Sequence, residues 1–299
     1  MNRLKKYAIV GCLLTLPLYA QQSFNGETAF KYLEDQVVLG PRHVNSDGAQ
    51  LAIDYFESFF EIYAHDVVLQ RFRLPDPYGT DTLHLTNIIA RINPDQKKRI
   101  MLGAHWDSRP RADMDVSRKD EPILGANDGA SGVAVLMHIS EILMQTPPRV
   151  GVDILLFDGE DYGKSGDPIY YLLGSRHYAN NPTFPLGETF LLLDMIGDAD
   201  LNIKIEVNSY RSAPKVVQSI WAIASELHYP QFIGRYGQSI LDDHIPFIEK
   251  GIPSVDLIDF SYGPDGENYW HTHNDTPDKC SPESLKIVGD VVLTWIYRQ

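Results

Sequence analysis

Residues 152–163 read Val-Asp-Ile-Leu-Leu-Phe-Asp-Gly-Glu-Asp-Tyr-Gly, and the fold class follows from how that stretch is interpreted. Positions 152–157 are a largely apolar run of strand length, too short for a helix and suited to a strand covered on both faces. Asp158-Gly159 is a turn signal that ends the run. Two adjacent acids, Glu160 and Asp161, follow at once. In an open α/β sheet, ligands bind beyond the carboxyl ends of the strands. An acidic pair at such an end can divide its labour, one carboxylate holding a cation and the other moving a proton. An isolated pair reads more simply as a solvated turn, but other predicted strands here also end on potential ligands.

On the N-terminal side, residues 23–63 carry two helical patterns, one over 28–39 with Phe30, Leu33 and Val37 as its stripe. The other opens at Asp47, with Leu51, Ile53, Tyr55, Phe56, Phe59 and Phe60 facing the core. Gly40-Pro41-Arg42 breaks them apart. Strands are predicted at 67–72, 86–92 and 99–103, with a turn at Asn93-Pro94-Asp95. The third ends in Ala104-His105-Trp106-Asp107-Ser108. A surface loop, 109–122, leads to Gly125-Ala-Asn-Asp128-Gly-Ala-Ser131-Gly132, where Asp128 or Ser131 begins a helix running to Met144. Beyond the central run, 162–189 reads as long and irregular. Strands follow at 190–193, ending on Asp194, and at 203–207 and 254–258. Helices are predicted at 213–228 and from Ser281-Pro282 onward. Loops carry Leu241-Asp242-Asp243-His244 and Tyr269-Trp270-His271. Strands alternating with helices predict one α/β domain, a mixed and mostly parallel sheet with helices on both faces.

The chain has 299 residues, 43% apolar and 22% charged, without repeats or a Pro/Gly/Ser linker, so one domain is expected. Residues 1–20 stand apart. Arg3, Lys5 and Lys6 precede a short apolar core, which reads as a secretory signal peptide cut after Ala20 and leaves a mature domain over 21–299. Lipid attachment at Cys12 is the alternative, although Cys12 lies inside the apolar stretch. Export to the periplasm or the medium is therefore expected, and the cut would expose Gln21 as the first residue. Losing those three basic residues takes the formal charge from −14 to −17, which argues against nucleic acid. Cys280 would be the only cysteine left, so no internal disulfide is expected. No later segment is long and apolar enough to span a membrane, and a monomer is expected.

His105, Asp128, Asp161, Asp194 and His271 all fall where strands stop. A carboxylate and imidazole set without thiolates points to a catalytic rather than a structural metal. From spacing alone, the set could hold two divalent ions with one Asp bridging, or one ion on three of the five. Zinc suits this N/O mixture, and manganese or cobalt would also fit.

Taken in order, His105-Trp-Asp107, Gly125-Ala-Asn-Asp128-Gly-Ala-Ser-Gly132, Glu160-Asp161, Asp194 and His271 resemble the metal-site motifs of the M28 zinc peptidase superfamily. The match runs from about Thr86 to the C-terminus, with an echo at Gly40-Pro41-Arg42. Within that superfamily, di-zinc aminopeptidases use all five ligands, whereas animal-type glutaminyl cyclases share the fold but hold a single zinc. Asp242-Asp243-His244-Ile-Pro-Phe247, Gly174-Ser-Arg-His177, Leu193-Asp194-Met-Ile-Gly197 and Trp270 beside His271 are similar to the cyclase versions. One departure is Tyr162-Gly163-Lys164, where animal cyclases carry a Trp.

The cyclase resemblance implies one zinc on Asp128, Asp161 and His271, with Glu160 as the proton-transfer residue. Asp194 and Asp242 would assist it, and Trp270 would form a wall of the substrate pocket. The implied reaction is attack of an N-terminal glutamine's amine on its own side-chain carbonyl, with peptides or proteins bearing such an N-terminus as substrates. A di-zinc aminopeptidase is the runner-up. A binding module that has lost the chemistry is a third reading, against which the intact Glu160 and ligand set count. His177, His244 and His273 are expected to be structural or supporting.

Overall fold

The stretch at 152–157 is a strand buried along its whole length, and the sheet is built around it. The structure is a computed structural model that describes residues 23–264 and 267–299, so the expected leader, its cut after Ala20, Cys12 and Gln21 lie outside the described residues. Six strands form the main sheet: β1 (Asp66–Pro75), β2 (Thr82–Ile92), β3 (Arg99–His105), β4 (Gly151–Phe157), β5 (Phe190–Asp194) and β8 (Ser254–Ile258). Their spatial order is β1-β2-β4-β3-β5-β8. The β3–β4, β3–β5 and β5–β8 pairs are parallel, while β1–β2 and β2–β4 are antiparallel. The expected turn at 93–95 therefore joins strands that are not neighbours, because β4 lies between β2 and β3. Two short strands, β6 (Ile203–Ile205) and β7 (Phe232–Tyr236), pair separately.

Side chains alternate across the sheet, as the pleat requires. Ile88, Ala90, Leu102, Ala104, Ile154, Leu156, Leu191 and Leu193 face one core. There they meet α1 (Gly26–Val38), α2 (Asp47–Tyr63), α3 (Ala130–Gln145), α6 (Pro214–Glu226) and α8 (Pro282–Tyr297). Ile89, Met101, Leu155, Phe157, Phe190 and Leu192 face the other. That side is closed by Tyr178 of α4 (Leu173–Asn180) and Phe247 of α7 (Ile245–Glu249). Asp153 is the charge this apolar run must accommodate, and Arg91 and Arg99 both pair with it.

The departures from expectation have local causes. Positions 162–189 are not wholly irregular. They hold α4, which starts after Leu172 in a left-handed conformation (φ 61°) with no side-chain cap, so no capping signal marked it. Two more short elements, α5 (Val207–Ser212) and α7, are built from loop-like sequence, and β6 stops at Ile205 because Glu206 caps α5 instead. Leu51 is 51% exposed, so it does not face the core as expected. The helix after Asp128 begins at Ala130 behind Gly129, and neither Asp128 nor Ser131 caps it. Gly129 has φ 107°, and a Cβ there would lie 2.5 Å from the Asp107 carbonyl oxygen, so only glycine fits. Ser131 turns back to donate to the Asn127 carbonyl at 2.6 Å.

Phe56 is fully buried on α2 while Leu51 on the same helix is exposed. Phe56→Ala should cost about 3–5 kcal/mol in urea unfolding, and Leu51→Ala less than about 0.5 kcal/mol. Equal losses would contradict this placement of the helix.

Candidate metal centre

The four parallel strands β3, β4, β5 and β8 run the same way, so their carboxyl ends share one edge. His105 ends β3, Asp194 ends β5, and the 158–161 turn follows β4. Buried polar groups lock these ends together. Asp107 accepts from the Glu160 amide at 3.0 Å and the Asp161 amide at 3.2 Å, tying the end of β3 to the acidic pair. Asp275 accepts from the Asn127 amide at 2.7 Å and the Asp128 amide at 3.2 Å, holding the loop that presents Asp128. Burial, with Asp128 nearby, raises Asp275 to about 7. Arg42 is fully buried and donates to the Trp106, Leu124 and Gly125 carbonyls at 3.1, 2.8 and 2.8 Å. That is a structural account of the Gly-Pro-Arg echo: its arginine staples two site loops.

Asp128, Asp161 and His271 converge. His271 Nε2 lies 3.6 Å from Asp128 Oδ2 and 3.3 Å from Asp161 Oδ2. One ligand atom from each residue lies within 4.8 Å of the others. Both of those carboxylate oxygens are buried without a hydrogen-bond partner. Burying charged oxygens unpaired is costly, and two such oxygens facing one imidazole nitrogen make a donor set that fits zinc. His271 sits at φ 57° and Trp270 stacks on its ring at 3.6 Å between centroids. His105, Asp128 and Asp194 make a second such group, with His105 Nε2 3.1 Å from Asp128 Oδ1 and 3.2 Å from Asp194 Oδ1. Asp128 is common to both. Burial opposes charge on His105, yet Asp107, Asp128 and Asp194 together raise it well above its ordinary value.

Glu160, Asp194, Asp242, Trp270 and the first triad all line one pocket of about 260 Å³. Burial raises Glu160 well above the usual carboxylate range, and Asp161, Asp242 and Asp243 push it further while His105 opposes them. Burial likewise raises Asp242, with Asp194 and Asp243 adding to it. Every site residue expected from the sequence therefore reaches this one edge of the sheet. His177 does not; it stacks on Phe72 at 3.9 Å. His273 pairs with Asp115 at 2.8 Å, and His244 is buried 3.3 Å from Glu206.

The sequence reading missed Arg109, which it assigned to a surface loop. Arg109 is fully buried and pairs with Asp161 and, at 2.7 Å, with Asp113. Its place directly after His-Trp-Asp-Ser was the available signal. Burial pushes Asp161 up, but His271 and Arg109 outweigh it and hold Asp161 at about 2. Asp256, on β8, was also missed; it groups with Asp242 and His244 beneath the pocket.

Arg109→Met should keep the fold but weaken zinc binding about 10–100-fold, since Asp161 loses the partner that orients it; unchanged affinity in a chelator competition would contradict that role. A second expectation concerns Glu206. Burial raises it, but His244, Ser209 and the Asn208 amide hold it down to about 2 from 4.5. A depressed carboxylate stabilises the fold above about pH 4.5 and loses that contribution as pH falls toward about 2. Glu206→Gln should remove that limb of the stability–pH curve, and an unchanged curve would refute the linkage.

Residues 87–296 match the model of peptidase family M28. A Zn-dependent exopeptidase of Parabacteroides distasonis superposes with a TM-score of 0.89 at 36% identity, over 94% of this chain and 100% of its own. A glutaminyl cyclase of Tannerella forsythia superposes with a TM-score of 0.87 at 37% identity, over 93% and 99%. A glutaminyl-peptide cyclotransferase of Drosophila melanogaster is 26% identical over 283 residues, 84% of this chain and 76% of its own. With its ordered strand-end motifs and this match over most of its length, the chain belongs to peptidase family M28.

Proposed function

We propose that this chain is a zinc-dependent glutaminyl-peptide cyclotransferase. It converts the N-terminal glutamine of peptides or proteins to pyroglutamate with release of ammonia, as an exported monomer. The observation that carries the reading is the placing of Glu160 beside the Asp128–Asp161–His271 triad in a single pocket walled by Trp270. The likeness to glutaminyl cyclases supports it.

A zinc ion held by Asp128, Asp161 and His271 would supply Lewis acidity toward the γ-carbonyl oxygen of the glutamine. The chain's own residues do the rest. Glu160 takes a proton from the attacking α-amine and returns it to the leaving amide nitrogen, so the new N–C bond forms as the old one breaks and ammonia departs. The second transfer needs an acid of raised pKa, which burial and the neighbouring Asp242 provide. Asp194 accepts a hydrogen bond from the leaving amide. Nucleophile and electrophile lie in one residue, so the pocket mainly has to hold the folded-back conformer. Trp270, fixed by stacking on His271, is one wall of it.

The second reading, a di-zinc aminopeptidase, draws on the position of Asp128 between two triads. In the cyclase reading His105 is not a ligand and lies between Asp128 and Asp194.

Product analysis on two peptides, one starting with Gln and one with Leu, separates them. Ammonia with an otherwise intact peptide is expected from the first; free leucine from the second would establish the aminopeptidase. Glu160→Gln should retain its zinc and lose about 10²–10⁴-fold in kcat, whereas full activity would remove Glu160 from the mechanism. Asp128→Ala should purify without zinc, and full occupancy would contradict its place in the triad.

A further inference from the structure

Beside the catalytic pocket lies a second, smaller one. The two share a wall of Gln238, Ile240, Ile258 and Phe260, so a chain leaving the first across that wall enters the second. Beside Lys204 the second pocket holds one acid, Glu206, against five in the first. The catalytic pocket is lined by Asp128, Glu160, Asp161, Asp194 and Asp242. Among the described residues lining either pocket, Lys204 is the only lysine or arginine, and it lies in the second.

Lys204 is half-buried on β6, and its ammonium donates to Ser261 Oγ at 3.0 Å. An ammonium has three protons to donate. The acids near it are already engaged. Glu206 accepts from the Asn208 and Ile240 amides and from Ser209, and faces His244. Asp259 is fully buried, with its oxygens on the Ser261 and Asn202 amides. Beyond its pull on Asp259, the Lys204 ammonium therefore keeps donors for a ligand in this second pocket.

We propose that the second pocket seats the residues that follow the N-terminal glutamine, and that Lys204 selects substrates with a carboxylate there, either an acidic side chain or the free C-terminus of a short peptide. The inference rests on the cyclotransferase reading and adds a substrate class to it. The apolar wall of Ile240, Ile258 and Phe260 accepts the peptide stem, and the acidic interior of the first pocket penalises a carboxylate placed one residue too early.

The test compares kcat/KM for C-terminally amidated Gln-Ala-Ala-Ala, Gln-Asp-Ala-Ala, Gln-Ala-Asp-Ala and Gln-Lys-Ala-Ala, and for the dipeptide Gln-Ala as free acid and as amide. One aspartyl peptide should exceed the alanyl reference by about 2- to 5-fold, the size of a partly exposed ion pair. That ratio should shrink in about 0.5 M salt. It should fall to one in Lys204→Met, and Lys204→Glu should favour the lysyl peptide instead. A gain for the free-acid dipeptide alone identifies the C-terminus as the source of the carboxylate. Equal values for all peptides, or a preference that survives Lys204→Met, overturn the inference while leaving the cyclotransferase intact. Absence of ammonia from every peptide overturns the cyclotransferase, and the inference falls with it.

Discussion

Carboxylates crowded into a space with little water are the constraint around which the molecule is arranged. Asp107, Asp128, Asp161, Asp194, Asp242, Asp243, Asp256 and Asp275 are all buried at or beneath the carboxyl edge of the parallel strands. Such a group needs compensation from backbone amides, from cations or from protons. Each kind is present. Asp107 and Asp275 take amides, Asp161 takes Arg109, and burial raises the proton affinity of Glu160, Asp242 and Asp256. The oxygens of Asp128 and Asp161 that face His271 are left for an ion.

That constraint joins fold to chemistry. Strands buried on both faces leave their ends as the place where polar residues can gather, and four parallel strands put those ends on one edge. The loops there are short of freedom because buried side chains fasten them: Arg42 to Trp106, Leu124 and Gly125, and Asp107 to the 160–161 amides. A site held this way suits a reaction whose main requirement is a fixed conformer of one residue.

Much of this was legible in the sequence, for physical reasons that differ by element. The apolar run at 152–157 and the stripe of α1 have the period of the structures they form. The candidate metal-site residues stood out because His and Asp recur at strand ends, where chemistry gathers, and the structure groups them. What escaped was decided by tertiary contacts. Arg109 reads as a solvated loop residue until Asp161 is seen beside it, and Asp256 reads as a strand position until Asp242 and His244 approach. The helices α4, α5 and α7 are too short for a periodic signal, and α3 starts at Ala130 behind Gly129, with Asp128 turned into the site rather than onto the helix. Leu51 was misplaced because an apolar residue on an amphipathic helix need not face the core.

A single zinc ion among Asp128, Asp161 and His271 is tested most directly by anomalous diffraction at the zinc edge from crystals of the zinc-loaded protein. One peak is predicted, about 2 Å from the ligand atoms of those three residues. A second peak at His105 and Asp194 would contradict the single-ion account and favour the peptidase arrangement, and no peak at the triad would contradict it outright.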